Sequence, residues 1–498
     1  MRRVHLAATL AMTLLAGACG GGSASKSGST VTTASTGTTA TGSATTVTGP
    51  TTTAVPAEKL PPCPVDALAS VTAPVQITFW HAMTADNERA LQQITDAYNA
   101  AQAKVKVTLV NQTGYEEAID KYRSSSKADR PELVQLPEYT LQLLADSQTI
   151  VPTQSCVNAE HYDLSDYVDR MTAYYTIGGA LQAMPFNTSV PVLYYNKRAF
   201  AAAGLDPERP PATLTELRDD SEKIVSSKAA TFGVALDTGL DSGGGWYIEQ
   251  FMAMADQLFA DNSNGRQARA TKVLFDQGAA DYLTTLQKMV ADKLAVNVGE
   301  NPQGIADLLK IADASEPAAM AIHTSAALAS ALSVIKAGTF AGVKPEDLGI
   351  GPLPSPTTGG NPVGGGASLW IVKDKTPEQT AAAWDFVKYL TSPAVQSTWA
   401  AATGYVPVRT SSANLDPIKT TYTSDPRFKV AYDSLTGHAI DPASAGPVLG
   451  PLREVRKRTA QAVQAVLSGS DVNNELKSAA TDADALIADY AKRTGTGG

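Results

Sequence analysis

The chain has 498 residues, of which 43% are hydrophobic and 18% charged, and a formal net charge of −9. That length exceeds what one hydrophobic core organises, so two lobes or domains are expected. The acidic balance argues against a nucleic-acid partner, which would need a basic stripe, but a local arginine pair could still hold a small anion.

Arg2 and Arg3 precede an apolar run from about Val4 to Leu15, and Ala16-Gly17-Ala18-Cys19 follows. A charged start, an apolar stretch too short to span a membrane and a small-residue end describe a secretion signal. The cysteine directly after the small residues resembles a bacterial lipoprotein signal, in which Cys19 is lipidated and becomes the mature N-terminus. A plain secretory signal is the alternative. From Gly20 to about Ala57 the chain is Gly, Ser, Thr and Ala with almost no charge. Such a stretch cannot bury enough apolar surface to fold, and as a flexible coil it reaches on the order of 30–40 Å. Residues 1–19 are therefore read as signal and 20–73 as tether. No later run is long enough for a transmembrane helix, so a lipid anchor would be the only membrane contact. Cys63 and Cys156 remain. In an oxidising compartment they form one candidate disulfide, with two buried thiols as the alternative.

Folded structure is expected from Pro74. Strands are predicted at 75–80, 105–110 and 131–136, with helices at 86–101, 116–124 and 139–145 between and after them. This alternation makes a parallel sheet covered on both faces, whose ligands bind past the carboxyl ends of its strands. Trp80-His81, Gly114-Tyr115 and Glu138 fall there. A polar patch, Asn187-Thr188-Ser189, then leads into a buried strand, Val190–Tyr195. Asn196 stands at a helix N-cap position and Gly204 at the C′ position of the same helix. The patch reads as a turn handing the chain to a second lobe, with Ser189 facing the gap. Beyond it come a helix at 213–226, a short strand at 232–236, a loop at 241–246 carrying Trp246, a strand at 318–325 ending in hydroxyls, and a helix at 327–336. Strands at 348–354 and 364–372 return to the first lobe. A helix at 376–391, stopped by Ser392-Pro393, a turn at 403–408 and mostly helical chain complete the pattern.

No nucleophile elbow, phosphate loop or His-Glu-x-x-His motif occurs, and the five histidines are not clustered in sequence. No cofactor, catalytic residue or metal site is expected.

The run FNTSVPVLYYNKRAFAAAGLDPERPPATLTEL resembles the hinge-crossing segment of the extracellular solute-binding proteins of ABC sugar importers. It is most similar to the branch that binds glycerol 3-phosphate and glycerophosphodiesters. ITFWHAM, TGYEEAI, VGGGASLWIV and FVKYLTSPAVQSTWAAATGYVPV occur in the family's order, and the resemblance spans about Pro74 to Lys492. It implies an α/β, two-lobe periplasmic-binding-protein-like fold with crossover hinge strands. The implied lobes are 74–187 and 346–405 for the first, and 188–345 and 406–498 for the second. It further implies a monomeric, non-enzymatic protein on the outer face of the cell membrane, serving a permease and its ATPase.

Residue by residue, the resemblance places Tyr115, Glu138, Ser189, Thr324 or Ser325, and Tyr405 at the ligand, with Trp246 as an aromatic wall. Gly365 and Gly366 match glycines whose backbone can approach a phosphate. Arg456 matches a family arginine, while Val448 stands where a second one is usual. Arg453 and Arg456 would share a helix face at this spacing. A neutral oligosaccharide is the alternative ligand. A secreted carbohydrate-active enzyme, needing two carboxylates across the cleft, is the reading from another class.

Overall fold

In the computed structural model of the protein, residues 59–240, 243–301, 305–338, 342–357 and 360–495 are described. The signal with Cys19, the tether as far as residue 58, and Asp241 and Ser242 of the predicted loop lie outside them.

The strands are β1 (Val75–His81), β2 (Val105–Asn111), β3 (Leu133–Pro137), β4 (Ile150–Val151), β5 (Thr176–Ile177), β6 (Ala180–Leu181), β7 (Met184–Ser189), β8 (Pro191–Asn196), β9 (Phe232–Leu236), β10 (Ala295–Asn297), β11 (Ala318–Thr324), β12 (Leu348–Pro352) and β13 (Gly365–Val372). One sheet runs β2-β1-β3-β13-β4, with β7 also paired to β13. The other runs β10-β9-β11-β8-β12. Each has a parallel core, β1 with β2 and β3 in the first and β9 with β10 and β11 in the second. Each also takes antiparallel strands, β13 in the first and β8 and β12 in the second. The two sheets are the cores of two lobes.

The lobes are joined where β7 ends in one sheet and β8 begins in the other, with Val190 alone between them. Asn187, Thr188 and Ser189 are therefore not a turn but the buried end of β7. Their polarity is satisfied inside the protein: the Asn187 amide accepts from Gln135 at 2.7 Å and donates to the Tyr115 hydroxyl at 2.9 Å. Asn196 caps the following helix, Lys197–Ala202, by accepting from the Arg198 and Ala199 N–H groups, and Gly204 takes the left-handed conformation after it.

The second return also differs from expectation. The 348–354 segment does not go back to the first lobe: β12 pairs with β8 in the second sheet. Gly349 permits this, because a side chain there would collide with the Tyr195 ring of β8. The chain re-enters the first sheet only at β13, so the boundary expected at 346 falls within 353–364. The helix Pro377–Leu390, with a Thr376–Gln379 capping box, then packs on β1 and β13. The helix Leu452–Leu467 packs against Val472–Thr494 and Gly243–Met254 in the second lobe. A disulfide joins Cys63 to Cys156 in the helix Thr153–Glu160, closing a 93-residue separation.

Candidate functional site

A cavity of about 130 Å³ opens between the lobes at the crossover. It has room for a small solute rather than a single water. Nine of the ten sequence-derived ligand residues line it: Tyr115, Glu138, Ser189, Trp246, Thr324, Gly365, Gly366, Tyr405 and Arg456. Ser325 does not. It turns toward the crossover instead, its N–H donating to the Val190 carbonyl at 2.9 Å and its hydroxyl accepting from the Val190 N–H at 3.4 Å. Thr324 ends β11 at the cavity and accepts from the Ala326 N–H at 3.3 Å.

The charged centre is a trio. Glu138 follows β3, and Arg456 lies in the first turns of the helix Leu452–Leu467. Arg456 NH1 stands 2.8 Å from Glu138 Oε1. Its Nε and NH2 donate to the two oxygens of Glu249 at 2.6 and 2.8 Å. Its guanidinium also lies 4.8 Å from the centre of the Tyr139 ring. Burial pushes the Glu138 carboxyl up, and the neighbouring Glu249 charge adds to this against the pull of Arg456. For Arg456 burial favours losing charge, but the two carboxylates outweigh it and hold the guanidinium more firmly charged than usual. Ionised, the trio sums to one negative charge.

The phenols of Tyr115 and Tyr405 bond each other and the Asn187 amide, and burial keeps both neutral by raising their pKa. Asn187 is fixed in turn by Gln135, whose carbonyl accepts the Ala82 N–H at 2.9 Å. Trp246, half-buried in the helix Gly243–Met254, stands edge-on to Tyr247. On the opposite wall Gly366 has φ +105°, and a Cβ there would lie 2.0 Å from the Asn187 carbonyl oxygen. Gly365 faces the cavity: its Cβ would meet Glu138 Oε1 at an ordinary 3.9 Å. Gln250 fixes the approach to these glycines by bonding both the N–H and the carbonyl of Val363, at 3.0 and 2.9 Å.

Sequence reading missed Glu249, Gln250 and Tyr139. A Glu-Gln pair inside the otherwise apolar helix Gly243–Met254 was the available signal for the first two. Arg453, on the same helix as Arg456, is not at the cavity. It bonds Glu116 and Asp120 on the first-lobe helix Tyr115–Ser124 instead. Val448 is buried. Among the described residues Glu138 is the only carboxylate lining the cavity, and none of them forms with it the facing pair of a glycosidase. No described helix is long and apolar enough to cross a membrane.

Two α/β lobes, a crossing from β7 into β8 and a polar, aromatic cavity at that crossing define a solute-binding protein of the kind that serves ABC importers. Residues 93–430 match the family model for bacterial extracellular solute-binding proteins, and the chain belongs to that family. It is 28% identical over 408 residues to the sn-glycerol-3-phosphate-binding periplasmic protein UgpB of Yersinia pseudotuberculosis, covering 80% of this chain and 89% of the relative. UgpB of Salmonella typhimurium is 27% identical over 423 residues, covering 84% and 92%. Among solved structures, Mycobacterium tuberculosis UgpB in complex with glycerophosphocholine superposes with a TM-score of 0.69 at 20% identity, covering 84% of this chain and 99% of the other. The cyclic alpha-maltosyl-1,6-maltose binding protein of Arthrobacter globiformis gives 0.64 at 23% identity, covering 84% and 100%.

Proposed function

We propose that this chain captures a glycerophosphodiester, of which glycerophosphocholine is the model, and hands it to an ABC permease driven by its ATPase. Glycerol 3-phosphate is the smaller candidate of the same class. The protein acts as a monomer outside the cell membrane, held there by a lipid on Cys19.

The observation that carries the ligand reading is the position of Arg456, a buried guanidinium on the cavity wall. A guanidinium has five N–H donors, and three point at Glu138 and Glu249. Two remain by count, enough to bond a phosphate oxygen where Arg456 lines the cavity. Glu138 and Ser189 suit glycerol hydroxyls, and the Gly365–Gly366 backbone suits close approach of a phosphate. When all three are ionised the trio's one negative charge disfavours a phosphomonoester, which carries roughly −1.5 to −2, more than a diester. The faces of Tyr115, Trp246 and Tyr405 can also receive a quaternary ammonium. The names of the glycerol-3-phosphate-binding relatives support the same class.

One observation favours a neutral oligosaccharide: Arg456 already has two carboxylate partners, so the site does not require an anion. Melting of the body from residue 59 onward, which keeps the Cys63–Cys156 disulfide, against glycerophosphodiesters, glycerol 3-phosphate and maltodextrins, decides between them. A ligand at a hundred times its Kd adds about 2.7 kcal/mol. A shift with maltodextrins alone would make the phosphodiester reading wrong.

A further inference from the structure

The two acids that Arg456 holds are not held alike. Glu249 accepts two hydrogen bonds from it, at 2.6 and 2.8 Å, and is not among the residues lining the cavity. Glu138 meets it through one contact, NH1 to Oε1 at 2.8 Å, and does line the cavity. Both carboxylates are buried, at 3% and 5% exposure. Glu138 is therefore the partner that an entering anion can displace from the guanidinium.

Nothing else near Glu138 can compensate that exchange. Among the described residues Arg456 is the only cation paired with it. Glu249 adds a like charge. The other groups that feel Glu138 are phenols: Tyr115 and Tyr405 on the cavity wall, and Tyr174 and Tyr175 at the end of the helix Asp169–Tyr174. Burial raises the pKa of all four and keeps them neutral. A buried carboxylate that has lost its cation, beside a second carboxylate and a phosphate, takes up a proton rather than stay charged. Once protonated it changes from a hydrogen-bond acceptor to a donor.

We propose that an anionic glycerophosphodiester is captured together with one proton from solvent, which Glu138 carries. This rests on the phosphodiester reading and adds a charge rule to it. A phosphate oxygen takes the place of Glu138 at Arg456 NH1. The neutral Glu138 carboxyl then donates a hydrogen bond to the ligand, while Glu249 stays ionised on Nε and NH2. The loaded site carries the same net charge as the empty one, so closing the lobes buries no additional charge. A phosphomonoester, with its larger charge, would need a second proton, and no second carboxylate lines the cavity among the described residues.

The test is calorimetry of the protein at pH 8 in two buffers of unlike ionisation enthalpy. Glycerophosphoglycerol is the anionic probe, and glycerophosphocholine, neutral as a whole, is run beside it. The difference in heat between buffers is expected to show uptake approaching one proton per glycerophosphoglycerol bound. Its Kd should rise by up to about tenfold per pH unit on going from pH 7 to 9, as the free carboxylate becomes harder to protonate. Glu138→Gln imitates the protonated acid and is expected to bind glycerophosphoglycerol with no proton taken up and no pH slope. Proton-free binding by wild type would overturn the proposal and leave the phosphodiester reading standing; this arm does not depend on the variant folding. Uptake that persists in Glu138→Gln would overturn it by placing the proton elsewhere. Binding of glycerophosphocholine alone would overturn it too, since anions would then be excluded rather than neutralised. Binding of neither diester would sink the phosphodiester reading and the coupling together.

Discussion

Arg456 and Glu138 meet at 2.8 Å across the seam between the lobes, and the same guanidinium grips Glu249 within its own lobe. One cation thus supports both the cavity wall and the contact between lobes. Arg456→Ala removes the only positive charge between two buried carboxylates, which costs about 3–5 kcal/mol. Urea unfolding of that variant should show the loss directly. Arg456→Lys keeps the charge but not the fork. It is expected to fold and to bind a phosphodiester at least about tenfold more weakly by calorimetry, the loss of one charge-assisted hydrogen bond.

The two cavity glycines should separate binding from stability. Gly365→Leu places a side chain in the cavity without meeting backbone closer than 3.8 Å at its Cβ. It should abolish ligand-induced melting shifts while leaving the ligand-free melt nearly unchanged. Gly366→Ala drives a Cβ into the Asn187 carbonyl at a positive φ. It should cost on the order of 2 kcal/mol or more before any ligand is added. Equal melts for the two variants would contradict this division.

Arg453 holds Glu116 and Asp120 from the other lobe, with Lys457 3.3 Å from Glu116. Partial burial alone would raise the Glu116 carboxyl, but the Arg453 hydrogen bonds and charge outweigh it and hold it below its usual 4.5. A depressed folded-state value means stability that is present above 4.5 and lost as pH falls through the lowered value. Glu116→Gln should therefore be less stable than wild type at neutral pH and should lose less on acidification. Parallel urea midpoints from pH 7 to 3 check the sign, and a constant gap between the two proteins would refute it.

Closing a loop of 93 residues with the Cys63–Cys156 bond should contribute several kcal/mol, about 2–5 by experience with native disulfides. The double variant Cys63→Ser/Cys156→Ser should be less stable by that amount in urea unfolding, with ligand affinity unchanged, since neither cysteine lines the cavity.

The fold was legible where periodicity and caps agreed. The alternation of β1 to β3 with their helices, the Asn196 cap and the Gly204 stop all follow from local chemistry. The crossover is legible, but its polar residues read as a turn rather than the end of a buried strand, because their partners, Gln135 and Tyr115, lie 52 and 72 positions away. β12 was assigned to the wrong lobe for the same kind of reason. Its pairing depends on Gly349 meeting the Tyr195 ring, which no local pattern reveals. The cavity residues came from resemblance position by position. Glu249 did not, because a single acid in an apolar helix looks like an exposed residue until its arginine is in place.

The disulfide also sets where mechanical load enters the protein. Cys63 precedes β1 and is covalently fixed to the helix Thr153–Glu160 of the first lobe. Tension along the preceding chain is delivered to that helix and bypasses the edge of β1. The crossing from β7 to β8 at Val190 carries none of it. Whatever holds the protein by its N-terminus can therefore pull without levering the lobes apart, and opening and closing stay governed by the solute.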